Sequence, residues 1–391
     1  MSRGALCAAL WSLAPLALPA QATPVSATYF ALVIGRPIDQ VTLIRFGPKG
    51  AAVVHRTSVH IEPDRSADPQ AIALAPNGRE YLITTANGIA GGELLRIAIA
   101  ADSSPYGQPS DTVTGREPLG GMPGAVRVAP DGKYAWVNVV TGAGSPGPGA
   151  RGPAGALVVV YLPRMIEVAR IRTCGGARGA ALGRDGTTIY TVCSHGDSLL
   201  EVDTGRAVVS RRLALPATAD GRPCGATAVI VDATGHLDIA CSGASEVLIV
   251  DAQTWTVASR IAIGGGVGGI AVTKDGRRLV ALNPRTTTVS IVDLATRRIT
   301  ARVLTRRVIA DDIRVVAPLM PAPFVTLAML ATGSDPVGVA LTPDSRFAFV
   351  AAQAGGSSSS TVQVIDLATG KVVTTLTIGL GAGPVEFWKM K

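Results

Sequence analysis

Six times along the chain a short run of small apolar residues breaks at a tight turn and resumes on its far side. The turns read APNG at 75–78, APDG at 129–132, GRDG at 183–186, DATG at 232–235, TKDG at 273–276 and TPDS at 342–345. Around the first of them, the run 71–74 precedes Asn77-Gly78 and the run 80–84 follows it. Asn-Gly or Asp-Gly between such runs is a hairpin signal, because glycine accepts a positive φ without a Cβ clash. Each hairpin supplies two strands, A and B. A second phrase trails it by some twenty to thirty residues: LLEVDT at 199–204, LIVDAQT at 248–254, SIVDLAT at 290–296 and VIDLAT at 364–369. Here a strand C closes on Asp and turns into a strand D, as 289–292 does into 298–303 and 362–365 into 372–377. The Asp and Thr side chains suit that turn because they bond nearby backbone amides.

Four antiparallel strands repeated at a fixed spacing predict the blades of a β-propeller. Complete units begin near Asp68, Gly121, Cys174, Arg222, Gly264 and Ser334. Two fragments remain: 381–390 reads as a strand A without its followers, and 28–34, 41–46 and 52–59 read as strands B, C and D without their leader. Paired, they make a seventh blade that closes the ring and removes the open edges of a stack. The expectation is an all-β, seven-bladed propeller occupying 23–391 as one domain, with an insertion at 306–332.

Composition agrees with many strands and few helices. Of 391 residues, 47% are hydrophobic but only 4% aromatic, and 45 Gly and 26 Pro punctuate the runs. Residues 1–22 stand apart: Arg3 precedes an apolar run over 5–18 that ends in Pro19-Ala20-Gln21-Ala22. This is the layout of a cleaved signal peptide, and the run is shorter than a bilayer requires. Cys7 lies inside it, with no lipobox. The mature chain is therefore expected in the periplasm or at the cell surface, as a monomer with no membrane span. Loss of Arg3 takes the net charge from +8 to +7. No Lys/Arg block or basic stripe interleaved with aromatics occurs, so nucleic acid is not an expected partner; an acidic envelope polymer or protein is.

The paired phrases resemble the YVTN family of seven-bladed propellers. The resemblance spans essentially the whole mature chain and is sharpest in GGIAVTKDGRRLVALNPRTTTVSIVDLATRRI and VGVALTPDSRFAFVAAQAGGSSSSTVQVIDLATGKVV. The YVTN core itself is degenerate, reading YLITTAN from Tyr81, YAWVNV from Tyr134, YTVCS from Tyr190 and FVAAQ from Phe349. The family has no universal catalytic set to carry over. What it implies is a rigid secreted scaffold, with sugar-lactone hydrolases and accessory chains of periplasmic redox systems among similar propellers.

Up-and-down strand order puts the A–B and C–D turns on one face and the B–C and D–A loops on the other. Long irregular segments at 101–121, 141–155, 306–332 and 354–360 are all assigned here to the second face. This loop-rich face is the expected binding surface, since loops on a rigid scaffold carry function. Cys174 and Cys224 each precede a strand A, and Cys193 and Cys241 end the strand B that follows. Antiparallel pairing brings them together, predicting disulfides Cys174–Cys193 and Cys224–Cys241. A soft-metal site using these thiolates and His195 is the alternative, disfavoured by the lack of C-x-x-C spacing. His55 and His236 are read as solvent-facing, and GGGVGG at 264–269 as close blade packing. No H-E-x-x-H, G-x-S-x-G, Walker or haem-attachment motif occurs. No catalytic residue, metal or cofactor is therefore assigned. A small-molecule site would sit at the channel mouth, with Asp68, Arg127, Arg178, Arg222 and Asp335 as its candidates. The expected function is binding or scaffolding through the loop-rich face, the alternatives being a lactonase-like hydrolase or a redox accessory.

Overall fold

A computed structural model describes residues 24–36, 38–60, 66–87, 91–100, 111–141, 154–305, 334–354 and 359–390. The expected signal peptide and the insertion at 306–332 lie outside them. The described residues form seven four-stranded antiparallel sheets. Blade 1 is built as the fragments predicted: strand A, Ala382–Met390, pairs with B, Tyr29–Gly35, followed by C, Gln40–Gly47, and D, Gly50–Ser58. Blades 2 to 7 follow in chain order, with strands A at Pro69–Leu74, Met122–Val128, Ala177–Leu182, Ala226–Val231, Gly269–Val272 and Ser334–Leu341. Each strand A touches the strands A of both neighbouring blades, so the seven surround a central channel.

The recurring turns behave as their chemistry demands. Asp251 accepts from the amides of Gln253 and Thr254, Asp293 from both the amide and the hydroxyl of Thr296, and Asp366 from the amides of Ala368 and Thr369. Another repeated device was hidden in the sequence. Asp39, Asp197, Ser245 and Thr287 sit just before a strand C with φ of 47°, 34°, 58° and 50°. The carbonyl of each accepts an amide from the end of its own blade's strand D: Val59, Leu215, Ile263 and Thr305. Three of the side chains reach further and cap amides leading into the next blade: Asp39 holds Ala67 and Asp68, Asp197 holds Gly225 and Ala226, and Ser245 holds Gly266. Each clamp satisfies backbone donors that the D–A crossover would otherwise strand.

The core is divided among the seams between blades, with one apolar cluster for each. The closing seam is the aromatic one, joining Tyr29, Phe46, Phe347, Phe349 and Phe387. Tyr29 donates to Asp344 of blade 7 at 2.8 Å, and the Trp388 indole donates to the Gly78 carbonyl of blade 2 at 3.0 Å. Blade 1 is thus tied to both neighbours.

Two sequence expectations are corrected. The stretch 101–121 does not lie wholly on the loop-rich face: blade 2 has its strand C at Glu93–Ala98 and its strand D at Thr112–Pro118. Residues 112–118 of that stretch therefore belong to the blade itself, and 101–110 lie outside the described residues. His55 is buried, not solvent-facing, with 8% exposure. Its Nε2 lies 3.2 Å from Asp111, which also accepts the Tyr81 hydroxyl at 2.8 Å and the Ala100 amide. The inward histidine is explained by Asp111, which stands just before strand D of blade 2 and presents its carboxylate at the blade 1–blade 2 seam.

Candidate functional site

One rung of the channel differs from the rest. The strand A residues paired with Leu82, Trp136, Tyr190, Asp238, Val280, Phe349 and Leu32, the third residue of strand B in blades 2 to 7 and the fourth in blade 1, are Ala73, Arg127, Ala181, Ile230, Ala271, Ala340 and Glu386. Five blades place an aliphatic side chain there, and blades 3 and 1 place opposite charges. Both are half-buried in solvent-accessible terms yet enclosed by the ring of strands. Arg127 donates to the Val126 carbonyl at 2.8 Å, and neither side chain forms a salt bridge with another described residue. Burial pushes the Glu386 carboxyl up to about 7, against the opposing pull of Arg127. Burial likewise lowers the Arg127 guanidinium from its usual range, with Glu386 pulling it back. Glu386 therefore exchanges its proton near neutrality, facing a cation that stays charged.

A cavity of about 350 Å³ opens beside this rung, walled by blades 5, 6, 7 and 1. Its lining is apolar, including Ile230, Ile270, Val272, Val339 and Phe387, with Glu386 its single ionisable group. A few polar groups in an apolar concavity of this size is the usual form of a small-molecule site. The cavity lies towards the A–B turns, at the end of the channel away from the loop-rich face.

Arg127 is the one mouth candidate that stands deep in the channel. Asp68, just before strand A of blade 2, takes φ 46° and pairs with Arg36 at 3.2 Å. Arg178 and Asp335 are exposed second residues of their strands A. Arg222 lies in the D–A connection before blade 5 and pairs with Asp220 at 2.8 Å. The five do not converge. Cys174–Cys193 and Cys224–Cys241 are bonded as predicted, with Cα separations of 5.9 and 4.5 Å. Gly264, Gly265 and Gly266 take φ of 83°, 71° and 66°, and a Cβ on Gly265 would meet Thr286 Oγ1 at 2.3 Å, so close packing explains the glycine run. Among the described residues no group of three or more His, Cys, Asp or Glu could hold a metal.

Glu386 escaped the sequence reading because its strand had no turn phrase after it to set the register. Aligning PVEFW with AVRVA would have put Glu386 beside Arg127. Asp238 was missed as well. It is fully buried opposite Ile230 and Ile249, neither carboxyl oxygen has a hydrogen-bond partner, and burial plus the nearby Asp232 charge push it up to about 8.

The fold is shared with solved propellers at low sequence identity. A Bacteroides fragilis protein provisionally named 6-phosphogluconolactonase superposes with a TM-score of 0.66 at 12% identity, covering 94% of this chain and 99% of that one. The periplasmic gluconolactonase PpgL of Pseudomonas aeruginosa gives 0.64 at 16%, covering 93% and 99%. A functionally unknown protein from Desulfotomaculum acetoxidans gives 0.61 at 14%, covering 92% and 98%. These similarities establish a seven-bladed propeller and do not transfer chemistry. No protein-family profile and no curated protein sequence matches the chain.

Proposed function

We propose that this chain is an exported, YVTN-like propeller that binds and hydrolyses a small lactone or related cyclic ester in its channel. The observation that carries the reading is the Arg127–Glu386 rung, two unlike charges held without direct pairing, of which Glu386 lines an apolar cavity. Ionised Glu386 takes a proton from water as the oxygen attacks the carbonyl carbon. Arg127 stabilises the oxyanion, then the ring C–O bond breaks and the leaving oxygen recovers the proton from Glu386, giving a hydroxy acid. The lactonase names among proteins of like fold support this choice of substrate class. Export is supported by the two disulfides, which persist in oxidising compartments. Among the described residues, no helix is long and apolar enough to cross a membrane.

The test is a pH-controlled hydrolysis assay on δ-gluconolactone and simpler δ- and γ-lactones. Activity is expected to rise through pH 7 as Glu386 ionises, to fall about 10²–10⁴-fold in Glu386→Gln with loss of that limb, and about 10²-fold in Arg127→Met. Wild-type rates at background across the lactones sink the hydrolase. A binding role without turnover is favoured by one feature, the absence of a second acid on the rung. Saturable binding of a hydroxy acid, lost in Arg127→Met, would then mark a receptor. Partner binding through the loop-rich face, the role expected from sequence, rests on segments mostly outside the described residues.

A further inference from the structure

The seams between blades are packed by one repeated position, the residue just before strand D. It is Met165 in blade 3, Ala207 in blade 4, Trp255 in blade 5, Arg297 in blade 6 and Gly370 in blade 7, all with φ between 49° and 65°. In the blade 2–blade 3 seam Met165 fills the space beside Gly115, where an added Cβ would meet its Cγ at 2.5 Å. There Arg96 crosses to the Leu162 carbonyl at 2.8 Å. In the blade 4–blade 5 seam Trp255 lies 6.3 Å from the Tyr190 ring, with the Arg211 guanidinium 4.3 Å over its own ring. Arg211 also bonds the Ala252 carbonyl at 2.9 Å. Each of these seams thus takes a large apolar plug beside a crossing arginine.

The seam between blades 3 and 4 has neither. Register places Trp136, Val159 and Ala169 where the blade 4–blade 5 seam has Tyr190, Glu201 and Arg211, and Ala207 where it has Trp255. A cleft of about 590 Å³ is left, walled by Trp136, Val159, Val168 and Ala207 and rimmed by Tyr134. Asp131, which pairs with Lys133 at 4.0 Å, and Asp185 line it from the two A–B turns, and among the described residues no Lys or Arg lines it. Tyr134 and Val168 are 37% and 50% exposed, so the apolar wall reaches the surface.

We infer that this cleft is a docking site for an extended segment of a partner protein that presents a large apolar side chain, tryptophan or methionine, flanked by arginine. The chain's own filled seams define the shape and chemistry of the missing plug, and the two carboxylates supply the complementary charge. Burying one such side chain in a preformed pocket makes it the anchor of the interface. This site is separate from the channel and does not depend on the hydrolase reading.

The probe is capped Arg-Trp-Arg amide, titrated by calorimetry into the full disulfide-bonded protein, with Arg-Ala-Arg and Glu-Trp-Glu amides alongside. The expected result is saturable 1:1 binding of Arg-Trp-Arg alone, weakened at least about tenfold in Ala207→Trp and in Ala207→Met. The blade 5 and blade 3 backbones carry those residues at φ 58° and 49°, against 55° at Ala207, so the plugs should fit and raise Tm. A single cooperative melting transition and an unchanged monomer size in both variants report that the ring is intact. No saturable binding, equal binding of Glu-Trp-Glu, or unchanged binding in a folded plugged variant each overturns the inference.

Discussion

Asp238 shows what a buried carboxyl without a partner does to a seam. It sits with Ile230, Ile249 and Ala240 on the side of blade 5 that faces Ile270 and Leu279 of blade 6. On its own element, His236 is engaged by Thr234 and Asp232, and among the described residues no cation pairs with Asp238. A folded pKa of about 8, above the unfolded value of about 4, means that the folded state holds the proton more tightly. The stability it contributes is full below pH 4 and is lost as pH rises to 8. Asp238→Asn, which cannot ionise, should therefore gain on wild type progressively from pH 4 to 8 and level off above. The pH-dependent part is several kcal/mol, about 5 at its upper end. Urea unfolding at pH 4, 6, 8 and 9 checks this, and a flat difference sinks it. The sequence made local side-chain roles legible where they act on their own turn, as Asp251, Asp293 and Asp366 do. It concealed Asp238, because an alternating strand shows which residues share a face without showing what packs on it.

Strands and their connections were readable wherever two neighbours in sequence pair. The disulfides follow from this: Cys224 precedes strand A and Cys241 ends strand B, so antiparallel pairing alone brings them together across a separation of 17 residues. Closing that loop restricts the unfolded chain, and Cys224→Ala/Cys241→Ala should lower the unfolding free energy by about 3 kcal/mol. Comparison of denaturant midpoints, with dithiothreitol erasing the difference, is the check. The misplaced stretch at 101–121 failed for the opposite reason. A strand D that no Val-Asp-x-x-Thr phrase introduces could not be told from a D–A crossover by local pattern. That strand, Thr112–Pro118, is placed by its pairing with Glu93–Ala98, and Asp111 just before it makes the buried contact with His55.

Closure of the ring brings the chain ends together, and its cost if removed is predictable. Strand A of blade 1 comes from 382–390 and carries Glu386 on one side and the Phe387 and Trp388 contacts on the others. Ending the chain at Leu380 leaves strand B of blade 1 with an open edge and the closing aromatic cluster without Phe387. Such a truncation should lose cooperative melting or self-associate, measured by calorimetry and light scattering; a monomer with the wild-type Tm would contradict it. The repeated turns and alternating strands dictated seven blades and how the termini join, because hairpin pairing is short in range and is written in neighbouring residues. What they left open was which side chains meet across the channel and across each seam. Arg127 and Glu386 are brought onto one rung by the ring, and the cleft at Ala207 exists because the facing blade supplies Ala169 where another supplies Arg211. Such meetings depend on distances between segments far apart in the chain, which packing alone fixes.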